Sequence, residues 1–432
     1  MKISLLSTND TAYGAGKAAY RQHQALQALG VDSQMLVQTK QTKDKTVTGF
    51  LNKKPKAEKI LANAREIADR LPLKFYVNDS NAYSVQWLPD NLRAQVDRLN
   101  PDLINLHWIC RGYLQIETLA KFNQPLVWTL HDMWAFTGGC HYDRDCQRYL
   151  NSCGACPQLG SSKERDLSRW IWQRKAKAWQ NLNLTVVTPS SWLGERARAS
   201  SLFEDVRVEV IPNGLDLQQY RPIDKAIARE LLSLPQDRQL VLFGAVNATS
   251  DKRKGFHLLE PALQELSNNG WQDKIDLVVF GADKPDNPTD FGFKTHYLGR
   301  YTDDLALALV YSAADVFIAP SIQENLANTV LEAIACGVPC VAFEIGGMPD
   351  LIEHQRNGYL ARPYQIDDLA KGIAWILNDR ERSLKLAHRA REKAQEFSLT
   401  RSARRYLSLY EEILSGSAAG RSVNFSLEET KL

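Results

Sequence analysis

The sequence predicts two doubly wound α/β domains, each a parallel sheet with helices on both faces. Three observations carry this. The chain has 432 residues, which suits two domains of ~200 residues better than one core. Short apolar runs alternate with helix-period segments almost from end to end, the pattern of parallel strands joined by crossover helices. The alternation pauses at "IPNGLDLQQYRPIDK", a stretch of turn formers near the middle.

The elements follow in order. "KISLLS" is a short apolar strand. "GAGKAAYRQHQALQALG" sets Ala18, His23 or Ala25, Leu26 and Leu29 near helical spacing and ends in Gly30, a C-cap. "DSQMLVQ" is the next strand. Residues 40–75 are polar and basic, and their pattern places no strand. Within them "NKKPKAEKILANAREIADRL" carries six Lys and Arg, with Ile60, Leu61, Ile67 and Leu71 at helical spacing. A solvated helix face is the first reading there, and contact with an anionic membrane or a lipid-linked acceptor the second. "PDLINLHW" and "PLVWTLHD" are strand-like runs ending at His107 and His131, and "LTVVTPS" and "RVEVIPNG" give two more. In the second half, "QLVLFGAV", "KIDLVVFGA", "DVFIAPS" and "VPCVAFE" are strands. "GFHLLEPALQELS", "DDLALALVYSAA", "NTVLEAIACG", "IDDLAKGIAWIL" and "RSLKLAHRAREKAQEF" are helices. The expected boundaries are 1–212 for the first domain, with a Cys-rich insert at 138–160, and 213–398 for the second. A helix at 399–415 is expected to pack back on the first domain, and 416–432 to form a loose tail. Ligands in such folds bind at the carboxyl ends of strands, so the two domains are expected to face across a cleft.

Composition narrows the function. Charged residues are 24% and hydrophobic residues 44%, and the formal net charge of +3 is too small to argue for nucleic acid. No run of 18 apolar residues occurs. The opening "MKISLLSTND" lacks a basic stretch followed by a long apolar one, so a cytoplasmic chain is expected.

Three segments carry candidate chemistry. In "NDTAYGAGKAAY", Gly14 and Gly16 fall between the first strand and the first helix, where a phosphate or sugar could approach the backbone. The spacing fits neither a Walker A loop nor a complete dinucleotide fingerprint. In "DKRKGFHLL", Lys252, Arg253 and Lys254 precede Gly255 at a helix start. Cations there oppose the helix dipole, which an anion between them would reconcile. In "SIQENLANTVLEAIACGVP", Glu324 falls in the loop after a strand and Glu332 about one turn into a helix entered near Asn328 or Thr329. Two carboxylates at that spacing can accept from vicinal hydroxyls while the helix amides hold a phosphate, a layout for a sugar nucleotide.

With these segments, "HD" at 131–132, "VIPNGLDLQQY", "KG" at 254–255, "ENLANTVLEAIACGVPCVA" and "GGMPDLI", the sequence resembles the retaining GT-B glycosyltransferases of family 4, also called group 1. The pieces span residues 1 to about 415. The resemblance implies a metal-independent hexosyltransferase that moves a sugar from a nucleotide-diphosphate donor to a glycan or lipid-linked acceptor in polysaccharide assembly. It implies that Glu324 binds the donor sugar, Glu332 the ribose and Lys254 the diphosphate, with Asn325, Leu326, Asn328 and Thr329 beside them. The turn at Gly14 and Gly16 would approach the phosphate or acceptor, and His131 the reacting sugar. The leaving phosphate would take the acceptor proton on the same face. The basic partner usual about six residues before Lys254 is absent, since Asn247 and Ala248 stand there. Arg253 or Lys252 is the substitute. By the residues alone, His131 at a strand's end could equally be a structural histidine, and Asp132 could fix its tautomer. An epimerase or phosphorylase on the same scaffold, or a non-catalytic carbohydrate-binding relative, is the alternative. The last would be expected to have lost Lys254, Glu324 or Glu332.

"TGGCHYDRDCQRYLNSCGACPQLG" sets Cys140, Cys146, Cys153 and Cys156 within 17 residues, a spacing that predicts a structural zinc site. His141 could replace one thiol, and free thiols or a redox pair at Cys153 and Cys156 is the competing view. A subset of bacterial polysaccharide glycosyltransferases is similar in this insert. Asp143 and Asp145 form a D-x-D, read as chance. Cys110, Cys336 and Cys340 are expected to be buried small hydrophobes.

Overall fold

Apolar runs bounded by turn formers become parallel strands, and the intervening amphipathic segments become helices. The computed structural model describes residues 1–12, 14–50, 55–76, 83–244, 252–281, 284, 290–301 and 303–416. The tail from 417 onward and the pair Asn247 and Ala248 lie outside the described residues. The chain divides into two compact units, Met1–Asn213 with the chain from Ser402 onward, and Gly214–Arg401.

The first unit holds β1 (Lys2–Asn9), β2 (Asp32–Thr39), β3 (Val47–Gly49), β4 (Leu103–Leu106), β5 (Leu126–Thr129), β6 (Leu184–Thr188) and β7 (Arg207–Val210). They form one sheet in the order β3-β2-β1-β4-β5-β6-β7, each neighbour pairing parallel. Its helices are α1 (Gly14–Ala28), α2 (Pro55–Asp69), α3 (Leu92–Leu99), α4 (Leu167–Trp179) and α5 (Ser191–Arg198). The second unit holds β8 (Gln239–Gly244), β9 (Ile275–Phe280), β10 (Thr295–Tyr297), β11 (Val316–Ala319), β12 (Cys340–Phe343) and β13 (Gly358–Ala361), in the parallel order β10-β9-β8-β11-β12-β13. Its helices run from α6 (Lys225–Leu231) through α7 (Phe256–Leu266), α8 (Asp304–Ser312), α9 (Asn328–Ala335), α10 (Met348–Leu351) and α11 (Ile366–Leu377) to α12 (Arg380–Ala394). The strands β3, β10 and β13, which the sequence pattern does not reveal, are three- and four-residue strands at sheet edges.

Burial explains the strand assignments. Every residue of β4, β5, β9, β11 and β12 is buried, as expected of strands covered on both faces. Helix α13 (Leu399–Leu414) starts in the second unit and continues in the first. There Tyr406 and Tyr410 pack with Ile3, Leu5 and Leu26. The Tyr410 hydroxyl donates to Asn105 Oδ1 at 2.6 Å, and Tyr406 meets the Thr129 hydroxyl at 3.0 Å. Arg207 and Glu412 add an ion pair at 2.7 Å.

Cys110, Cys336 and Cys340 are buried among apolar neighbours. Among the described residues, no helix is long and apolar enough to cross a membrane.

Candidate functional site

In each sheet the chain reverses its direction of strand addition once. The reversal lies between β1 and β4 in the first unit and between β8 and β11 in the second. Loops after the carboxyl ends of those strands splay apart there and leave room for a ligand. The predicted site residues follow these strands, so topology gathers them into two groups.

The second-unit group has Lys254 after β8 and Glu324 after β11. Gly255 brings them together. It has φ +73°, and a Cβ there would stand 1.7 Å from the Pro320 carbonyl oxygen. Only glycine lets the Lys252–Gly255 turn lie against the end of β11. The Ile322 N–H donates to the Arg253 carbonyl at 2.9 Å, which locks the two loops. Lys254 Nζ then reaches Glu324 Oε2 at 2.7 Å, and Arg253 Nη1 stands 3.7 Å from the same oxygen. Burial pushes the Glu324 carboxyl up, but Lys254, Arg253 and the Asn325 N–H outweigh it and hold the group below the usual carboxylate range. Gly346, at φ +53°, lets a second loop close over Glu324, since a Cβ would stand 1.9 Å from the Glu324 carbonyl oxygen. The Gly347 N–H donates to that oxygen at 3.2 Å.

Helix α9 begins at Asn328, with Ala327 at the N-cap and no side-chain cap, rather than the Asn or Thr cap the sequence favours. Apolar Ala327 and Leu326 are buried there, so burial has displaced the usual capping residue. Thr329 follows Asn328 in the first turn. Glu332 lies one turn on from Asn328, on the same helix face. It is 5% exposed, and its Oε2 accepts from the Tyr311 hydroxyl at 3.0 Å. Lys252 is exposed.

The first-unit group stands at the ends of β1, β4 and β5. Gly16 is buried under the end of β1, where a Cβ would meet Asn9 Oδ1 at 2.0 Å, and Gly14 is exposed at the first turn of α1. His131 Nε2 lies 3.0 Å from His107 Nδ1, and the two rings stack at 5.3 Å. Burial lowers the pKa of His131 to about 4, against the pull of Asp132. Asp132 takes the Trp108 indole N–H at 2.6 Å, His141 Nδ1 at 2.8 Å and the Trp134 N–H at 2.9 Å. The partner of His131 Nε2 is His107. Sequence reasoning placed His107 at a strand end without giving it a role. That shared position, one strand over from His131, was the available signal. Trp108, Tyr311 and Lys175 gave no signal. Lys175 is fully buried in α4, 3.6 Å from the Trp134 ring centroid and donating to the Thr137 carbonyl at 3.0 Å. Burial brings its pKa down to about 7.

The zinc expectation is not supported. Cys140, Cys146, Cys153 and Cys156 do line one small pocket. Yet among the described residues no group of three or more His, Cys, Asp or Glu could hold a metal ion. Burial raises Cys140 well above its ordinary value and Cys153 to about 12. Cys153 Sγ takes the Gly138 N–H at 3.2 Å, and Cys156 Sγ lies 3.4 Å from the Tyr83 hydroxyl. His141 cannot serve as a ligand in this arrangement, because Asp132 and the Ser84 hydroxyl, at 3.0 Å, occupy both ring nitrogens. Asp143 is buried while Asp145 is exposed, so the D-x-D carboxylates do not share an environment.

Comparison with known proteins agrees with the two-unit parallel-sheet fold. The family model "Glycosyltransferase Family 4" matches residues 13–219, and "Glycosyl transferases group 1" matches residues 233–397. A D-inositol 3-phosphate glycosyltransferase of Nocardia farcinica is 29% identical over 74% of this chain and 70% of its own. The chain spans about half the length of other such relatives, including 51% of the one from Saccharomonospora viridis at 30% identity. An Escherichia coli UDP-Gal:alpha-D-GlcNAc-diphosphoundecaprenol alpha-1,3-galactosyltransferase is 26% identical over 41% of this chain and 47% of its own. Among solved structures, sucrose-phosphate synthase from Thermosynechococcus elongatus superposes with a TM-score of 0.69 at 20% identity, covering 96% of this chain and all of that one. HepE of Anabaena in complex with UDP gives 0.62 at 17% identity, over 95% of this chain and all of that one. These likenesses establish the GT-B fold of two parallel-sheet domains.

Proposed function

We propose that this chain, which belongs to the group 1, family 4 glycosyltransferases, transfers a hexose with retention from a nucleotide-diphosphate sugar to a glycan or lipid-linked acceptor. The observation that carries the reading is the Lys254–Glu324 pair at the switch point of the second sheet. An ammonium has three donors, so Lys254 can keep Glu324 and still bind a phosphate oxygen. Glu324, held ionised, accepts from sugar hydroxyls. Glu332, whose Oε2 accepts from the Tyr311 hydroxyl, is assigned to a ribose hydroxyl. The first turn of α9, at Asn328 and Thr329, is assigned to the diphosphate, with Asn325 and Leu326 leading into it. Arg253, already on the Glu324 carboxylate, supplies the second phosphate cation.

In this mechanism Lys254, Arg253 and the helix amides stabilise the charge that develops on the departing diphosphate. That phosphate takes the acceptor proton, so no base of the protein is needed. Catalysis calls on no cofactor. Gly14, Gly16 and His131 are assigned to the phosphate, acceptor and reacting sugar by the family resemblance. The relative from Escherichia coli carries a diphosphoundecaprenol acceptor in its name, which supports a lipid-linked acceptor met at the cytoplasmic face of the membrane and a place in polysaccharide assembly.

Incubating the purified protein with a panel of nucleotide sugars tests the reading. Slow release of nucleoside diphosphate and free sugar from one donor, with the anomeric configuration kept, is expected. Interconversion of the donor to its epimer, or binding with no turnover of any donor, would overturn it.

A further inference from the structure

Tyr311 is a fully buried phenol in the last turn of α8, the helix that leads into β11. Its ring meets Phe280, at the end of β9, edge-on with centroids 5.5 Å apart. Phe317 of β11 meets it in the same way at 5.6 Å. Edge contacts in a close-packed core hold an aromatic ring in one orientation. Packing therefore places the hydroxyl, which donates to Glu332 Oε2 at 3.0 Å.

The chemistry of the pair is one-sided. Burial, and then the neighbouring Glu332 carboxylate, raise the phenol well above its ordinary value. The phenol keeps its proton and acts toward the carboxylate as a donor. A phenylalanine would fill nearly the same space but would leave a nearly buried carboxylate with one donor fewer. Packing thus accounts for the ring and not for the hydroxyl. Tyr311 is too deeply buried to touch a ligand itself, so anything it does for one passes through Glu332.

The other end of Glu332 is equally fixed. Its carbonyl accepts from the Cys336 N–H at 3.1 Å, and Val330, Leu331 and Ala333 are buried around it. A glutamate side chain left to water must be ordered before it can grip a hydroxyl, and a hydrogen bond from a fixed ring removes that freedom ahead of binding.

We infer that Tyr311 is a positioning residue that makes the nucleotide site select ribose over deoxyribose, by holding the Glu332 carboxylate ready for a ribose hydroxyl. The inference rests on the assignment of Glu332 to the ribose. A site built around a buried, oriented acceptor rejects an analogue that lacks the matching hydroxyl, because the acceptor is then left unpaired. The ligand class is ribonucleoside diphosphates and their sugar conjugates.

The test is calorimetric titration of the full chain with UDP, GDP and ADP, each beside its 2′-deoxy and 3′-deoxy counterparts. Wild type should prefer a ribonucleotide over one of its deoxy counterparts by roughly 10- to 150-fold, the range for a hydrogen bond to a charged group. Glu332→Gln should remove most of that preference. Tyr311→Phe, which keeps the ring, should shrink it about tenfold by weakening the ribonucleotide while the deoxy form binds as before. In the Glu332→Gln background, Tyr311→Phe should change the preference no further. No binding by wild type, or the same preference in wild type and Glu332→Gln, would overturn the ribose assignment and the inference with it. Loss of preference in Glu332→Gln, with full preference kept in Tyr311→Phe, would overturn the inference alone. So would equal weakening of both nucleotides by Tyr311→Phe, the result expected of a tyrosine that only supports the core.

Discussion

Replacing Lys254 with Met removes one charge from a largely buried pair while keeping the length of the side chain. Nζ lies 2.7 Å from Glu324 Oε2, with the lysine side chain 21% exposed and the glutamate 11%. Breaking a buried pair costs ~3–5 kcal/mol, chiefly because a charge is left without its partner. Arg253 remains at 3.7 Å from the same oxygen, so the expected loss of stability is smaller, ~2–3 kcal/mol. Glu324→Gln alone leaves Lys254 with water to meet. In the double variant the stranded carboxylate is gone, and most of the loss should be recovered. The cycle should give a coupling of about 1–3 kcal/mol.

The same pair makes a pH prediction. Glu324 is depressed below its ordinary 4.5, so its contribution is present above that pH and lost as acid brings it through its folded pKa. In Lys254→Met the loss should begin at higher pH. Urea unfolding across pH 3 to 7 measures stability, and calorimetric titration with nucleoside diphosphate measures affinity. Affinity should fall roughly 10- to 150-fold for a lost charged hydrogen bond. Additive stability effects in the cycle, with unchanged nucleotide affinity in Lys254→Met, would refute the reasoning.

Glu324→Gln should cut turnover more than nucleotide affinity and Glu332→Gln the reverse, each by ~1.5–3 kcal/mol; steady-state kinetics alongside nucleotide titration separates them, and the same phenotype in both variants counts against the division of roles. Gly255→Ala should cost ~1–2 kcal/mol for the left-handed backbone and more for the contact with Pro320, and should weaken nucleotide binding by moving Lys254. A wild-type melting point and affinity would show that the turn yields. His131 and His23 are each lowered to about 4 from an ordinary 6.5, chiefly by burial. The unfolded chain therefore binds more protons between those values, and stability should fall as pH drops through that window. His23→Gln and His131→Gln should each flatten the fall in thermal midpoint, and an equally steep fall in both would contradict the shifts.

Much of the fold was legible because period and chemistry agreed along the chain. Buried parallel strands such as "DVFIAPS" read as continuous apolar runs, and each helix declared its period. The edge strands β3, β10 and β13 stayed hidden, since three or four residues hold too little pattern to register. Helix α2 was legible as amphipathic, yet its apolar face reads the same whether it turns inward or to solvent. Only packing showed Ile60 and Ile67 outside.

The site divides the same way. The sequence by itself determined that Lys254, Glu324 and Glu332 follow strands at helix starts, because that depends on local order alone. The tertiary structure decided who meets whom. Lys254 and Glu324 are 70 residues apart in the chain and 2.7 Å apart in space, through a contact that Gly255 permits and the β8–β11 neighbourhood creates. The four cysteines show the reverse. Their spacing allowed a metal site, but ligation depends on where sulfurs point and whether they can ionise. The fold gathers all four around one small pocket, where burial raises Cys140 and Cys153 above the ordinary thiol value. Spacing fixes which groups can meet, whereas charge state and direction belong to the packed chain.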